Sequence, residues 1–177
     1  MPALVGCTSV GGTDVDRWVQ RNGGVIDCPG SQRASNSLAQ IVPAEAREKL
    51  CVRVLDSSDP GAFSWRTGEI FLTRGLIDLA DDDELSAAIA HEIGHLVSDG
   101  HFVMPSALSG RSSDPDAEVQ ADRVACELLK QTHRSPQPLI HLLEKICTEK
   151  GTSDALRLQL RERIRRLGGE NRLPAHS

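Results

Sequence analysis

His91-Glu92-Ile93-Gly94-His95 sets two imidazoles four residues apart, with a carboxylate beside the first. On an α-helix that spacing puts both rings on one face, one turn apart, where they can grip a single metal ion. Glu92 is adjacent to the first ligand, so it can reach a metal-activated water without itself binding the metal. Zinc lowers the pKa of such a water to about 7, within reach of a carboxylate base. These residue types in this order point to hydrolysis with Zn2+ as cofactor and Glu92 as catalytic base. H-E-x-x-H is only three fixed positions, and its weight comes from context. Leu85, Ala88, Ile89 and Leu96 give the segment an apolar stripe. A histidine pair among them would be costly to bury without a partner.

Two histidines leave zinc short of a protein ligand, and two residues compete to be the third. His101 follows His95 by six positions, similar to the metzincin spacing H-E-x-x-H-x-x-G-x-x-H. Ser98, however, stands where the turning glycine of that pattern belongs, and Met104 comes too soon for the later methionine turn. Glu118 lies 23 residues beyond His95, near the start of the next strong helix, where a carboxylate is electrostatically favoured. Asp122 is one turn on and shares its face. It can accept a hydrogen bond from a metal-bound histidine and so fix that ring.

The elements that must position these groups are legible in outline. Cys51–Asp56 alternates and carries β-branched residues, as does Gly68–Gly75, and both suit strands. Pro43–Leu50 reads as a helix start. A helix is predicted from Asp82 or Asp83 to about Ser98, with acidic residues at its positive end. Gly94 weakens that helix by about 1 kcal/mol relative to Ala, which a close backbone neighbour would explain. Residues 100–116 read as a long loop, and Asp114-Pro115 opens a second helix over 115–131. Further helices are predicted over 139–149 and 154–168. Strands early and helices late make an α+β domain over 41–170, preceded by an N-terminal arm or loosely ordered segment over 1–40 that carries one short helix around DVDRWVQRN.

The bulk composition narrows the function classes. A chain of 177 residues suits one soluble domain, and 39% apolar content with 3% aromatics implies an aliphatic core. The formal net charge of −5 gives no field that calls for nucleic acid. The basic cluster at Arg163, Arg165 and Arg166 is interrupted by Glu162 and reads as a solvated helix face. Five scattered cysteines form no C-x-x-C pair and fit a reducing, cytoplasmic setting. Leu4-Val5-Gly6-Cys7 has the form of a lipoprotein cleavage box, but it has meaning only if the true start lies upstream. No apolar run is long enough to span a bilayer.

Residues 68–96 together with Glu118, Ala121 and Asp122 resemble the core of the Ste24/HtpX-like zinc metallopeptidases. The resemblance is carried by Gly75-Leu76-Ile77, Glu84-Leu85, Ala87, Ala90, His91-Glu92, His95 and the E-x-x-A-D pattern at 118–122, and covers about residues 60–130. It implies a zincin-like (gluzincin) minimal metallopeptidase fold. It also implies a zinc metalloendopeptidase acting on a peptide or protein, with His91, His95 and Glu118 as ligands, Glu92 as base and Asp122 supporting a ligand. It makes residues 61–74 an active-site edge where an extended peptide can pair. The membrane-spanning helices of many such proteins are missing, as is the histidine-proline pair before Glu162-Arg163-Ile164. The oxyanion donor is therefore unassigned among His101, His133, His141, Arg123 and Arg163. ImmA-like regulatory metallopeptidases, which also pair H-E-x-G-H with a downstream acidic motif, are an alternative. A zinc-stabilised, non-catalytic binding module is another, disfavoured because such a site has no need of Glu92.

Overall fold

The computed structural model describes residues 13–65, 67–98 and 115–170. In chain order the elements are α1 (Thr13–Arg21), β1 (Val25–Ile26), α2 (Pro29–Ile41), α3 (Ala44–Arg47), β2 (Cys51–Leu55) and β3 (Ala62–Trp65). There follow β4 (Glu69–Thr73), α4 (Arg74–Leu79), α5 (Asp82–Ser98), α6 (Pro115–Gln131), α7 (Gln137–Thr148) and α8 (Asp154–Glu170). A mixed sheet precedes a helical second half, the predicted α+β arrangement. His101 and most of the predicted 100–116 loop lie outside the described residues.

The sheet order is β1-β2-β4-β3, with β2 parallel to β4 and the outer strands antiparallel to their neighbours. Side chains alternate between two buried faces, as the pleat requires. Val54, Ala62, Ile70 and Leu72 enter the main core with α2, α5 and α7. Leu55, Phe63 and Phe71 point the other way and pack with Val15 and Val19 of α1. Trp18 meets Phe63 edge-on at 5.0 Å and lies 6.0 Å from Trp65, so α1 braces the edge strand β3 from behind.

The N-terminal segment departs from expectation. Residues 13–41 are not a loose arm: α1 builds the second core, and α2 buries Ala34, Ser37, Leu38 and Ile41 against the rest. The buried stripe of α2 starts with the small residues Gly30, Ala34 and Ser37 before Leu38 and Ile41, so its Ser, Asn and Gln content masks the period. α3 is also shorter than the predicted helix start, with four residues.

The cysteines depart as well. Cys28, Cys126 and Cys147 form no disulfide, but Cys51 is disulfide-bonded. The expectation of a reducing compartment loses that support. No helix among the described residues is long and apolar enough to cross a membrane.

α5 is anchored at its first turn. Asp81 Oδ1 accepts from Glu84 N at 2.8 Å, and Glu84 Oε2 accepts from Asp81 N at 2.8 Å. This reciprocal pair satisfies two otherwise orphaned donors. Lys145 of α7 donates to the same Glu84 oxygen at 2.6 Å, so the buried carboxylate also ties α7 to α5. Glu84→Ala is expected to cost about 2 kcal/mol, from the lost cap and the stranded donors. In urea unfolding it should lower the midpoint without changing the slope. An unchanged midpoint would show that the cap does not hold α5.

Candidate functional site

The middle of α5 faces the first two turns of α6, and the contact depends on one missing side chain. A Cβ at Gly94 would sit 2.6 Å from Ala121 O and 2.8 Å from Ala121 Cα. Only glycine lets the backbones come so close. The glycine that weakens α5 by propensity is therefore the residue that brings α6 to it.

That approach brings His91, His95 and Glu118 together. The two Nε2 atoms are 3.1 Å apart. Glu118 Oε2 lies 3.4 Å from His91 Nε2, and Oε1 lies 3.3 Å from His95 Nε2. Ligand atoms about 2.0–2.1 Å from a tetrahedral zinc ion would be separated by roughly 3.3–3.4 Å. The donor set thus matches a single zinc-sized ion in both spacing and chemistry.

Around this triangle lies a buried second layer. His91 Nδ1 is 2.9 Å from Asp122 Oδ1, which leaves Nε2 turned toward the other ligands. Arg163 of α8 donates from Nε to Asp122 Oδ2 at 2.9 Å and from Nη2 to Oδ1 at 2.7 Å. Its Nη1 lies 2.9 Å from Glu118 Oε2. Glu92, Glu118, Asp122 and Arg163 are all buried. Three carboxylates against one guanidinium leave two formal negative charges, those a divalent cation would cancel.

The titration behaviour follows from this imbalance. Burial and the Arg163 charge both push the His91 pKa down, but hydrogen bonds to Asp122 and Glu118 outweigh them and raise it to about 9. Burial alone would raise the Glu118 pKa, yet hydrogen bonds from His91 and His95 and the Arg163 charge hold it far below the usual carboxylate range. Burial likewise acts against Asp122, and Arg163 and His91 overcome it, lowering the pKa to about 2. Both carboxylates are therefore ionised and ready to ligate or to orient a ligand.

The other predicted oxyanion donors fare differently. His133 follows the far end of α6, about 20 Å along the helix axis from Glu118. His141 is exposed beside Gln137 on α7, and Arg123 is exposed on α6. Arg163 does reach the site, but its guanidinium is committed to Glu118 and Asp122 rather than open to a substrate. The basic run itself does not predict this role, although the sequence carries a signal for it. Leu156, Leu160 and Leu167 make a buried stripe on α8, and Arg163 sits within it. A charge in an apolar stripe requires a buried partner.

Gly94→Ala is expected to push α6 away from α5. Overpacking of this kind costs about 1–3 kcal/mol. It should also weaken metal binding by at least tenfold, because Glu118 and Asp122 move with α6 away from His91 and His95. Thermal unfolding and a zinc titration check both effects, and wild-type affinity in the variant would contradict the reading of this contact.

Residues 32–114 match the family model of peptidase family M48. Curated proteins include no significant match to the chain. The matched span carries His91, Glu92 and His95, and α6 completes the cluster with Glu118 just beyond it. With an early mixed sheet, a helical second half and this site on α5 and α6, the chain has a minimal zincin-like fold and is similar over residues 32–114 to peptidase family M48, the Ste24/HtpX-like zinc metallopeptidases.

Proposed function

We propose that the protein is a zinc metalloendopeptidase with His91, His95 and Glu118 as ligands, Glu92 as general base and Asp122 orienting His91. The observation that carries this reading is the triangle of two Nε2 atoms and the Glu118 carboxylate, with edges of 3.1, 3.3 and 3.4 Å. Zinc bound there would act as a Lewis acid, activating water and polarising the scissile carbonyl. Glu92 accepts the proton of the attacking water and returns it to the leaving amine. Its burial on the ligand-bearing helix strengthens its electrostatic action there. Asp122 accepts from His91 Nδ1, fixing the tautomer that leaves Nε2 free to ligate.

The substrate is an extended peptide. β3 ends the sheet and packs beside α5, so its outer edge would offer main-chain hydrogen bonds to a peptide near the helix that carries Glu92. The ladder positions the scissile bond, and pockets for alternate side chains give preference. One domain spanning 13–170 does this work, with α1 stiffening β3 from the far face.

Glu92→Gln is expected to keep about one zinc per chain and to lose at least 100-fold in turnover of a peptide library. Turnover within a few-fold of wild type would overturn the mechanism. Glu118→Gln should weaken zinc more than His101→Ala does, and the reverse order in a chelator competition would make His101 the third ligand.

A further inference from the structure

Arg163 lies outside both the matched family span and the H-E-x-x-H helix, yet its guanidinium reaches the candidate metal centre. Three of its nitrogens act at once. Nε and Nη2 grip both oxygens of Asp122, while Nη1 holds Oε2 of Glu118. The carboxylate that faces both histidines and the one that orients His91 are thus joined through a single planar group. Its neighbours Leu160 and Leu167 bury its helix face. α8 packs chiefly on α7, and this guanidinium gives it a polar connection to α6.

We propose, on the footing of the zinc-site reading above, that Arg163 is a positioning residue of the metal centre. It fixes the Glu118 carboxylate as a ligand and the Asp122 carboxylate as the partner of His91, and so makes α8 part of the site. Lysine could not reproduce this. An ammonium is a point donor, whereas the planar fork spans both oxygens of Asp122 and still reaches Glu118. Arg163 also neutralises one of three buried carboxylates, which keeps the charge of the site matched to one divalent ion.

Removing one partner of a buried ion cluster is destabilising, because the remaining charges lose their compensation. Arg163→Lys keeps the charge and removes only the planar fork, so zinc affinity and the Co2+ spectrum read on folded protein separate positioning from stability. Zinc affinity is measured by chelator competition on the full chain, and Co2+ is used as a spectroscopic probe of the ligand field. Wild type is compared with Glu118→Gln, Arg163→Met, Arg163→Lys and Arg157→Met. Arg157 serves as the control, since it docks α8 through the carbonyls of Cys147 and Glu149, away from the cluster.

Arg163→Met should weaken zinc about 10–100-fold and shift the visible Co2+ bands. Arg163→Lys should fall between it and wild type. Arg157→Met should lower the melting temperature while leaving zinc affinity and the Co2+ spectrum unchanged. Folded Arg163 variants with wild-type affinity and spectrum, beside a weakened Glu118→Gln, would overturn the positioning role and leave the zinc site standing. If Glu118→Gln also binds zinc normally, the zinc-site reading fails, and this inference fails with it. Should Arg163→Met not fold, Arg163→Lys decides by the same two readouts.

Discussion

The approach of α5 to α6 at Gly94 and Ala121 is the constraint on which the site depends. A helix carrying two histidines one turn apart supplies half a metal site anywhere. It becomes a whole one where a second helix lies close enough to aim a carboxylate between the rings. Gly94 costs α5 intrinsic stability and is offset by tertiary contact. The capping pair of Asp81 and Glu84 and the Lys145 bond hold the start of the same helix, so the weak point is flanked by firm anchoring. Behind it, two-sided packing of β2, β3 and β4 keeps the sheet rigid beside the site.

Electrostatics then decides what the cluster can do. A buried carboxylate is costly unless it is paired, and here three are gathered within one region. Arg163 compensates part of the charge. The upward pull on His91 shows that the arrangement still attracts positive charge. Such an imbalance in a structural core would be a liability. At a metal centre it would be the source of affinity, and the divided roles proposed for Glu118 and Asp122 rest on which histidine nitrogen each one faces.

Much of this was legible in the sequence where local pattern and tertiary role coincide. α5, α6, α7 and α8 carry clear apolar periods, and their predicted limits agree with the structure to within about two residues. His91, His95, Glu118 and Asp122 follow from spacing and motif, and the structure brings them together. The missed features are those whose signal is weak or non-local. α2 hides its buried stripe among Ser, Asn and Gln, because small residues can fill a tight space that large apolar ones usually mark. Arg163 falls in a run whose pattern reads as a solvated basic face. Its sequence neighbours Glu162, Arg165 and Arg166 do form an exposed ion-pair group, but Arg163 itself points the other way. Spacing alone does not bring Glu118 to the histidines, since the separation between His95 and Glu118 is bridged by packing rather than by chain connectivity.

The proposed chemistry depends on one ion held between α5 and α6. Crystals grown with zinc and measured at the zinc absorption edge test this most directly. The account predicts a single anomalous peak about 2 Å from His91 Nε2, His95 Nε2 and a carboxylate oxygen of Glu118. A peak that excludes Glu118 and is closed by another residue, or folded protein that binds no zinc, would contradict it.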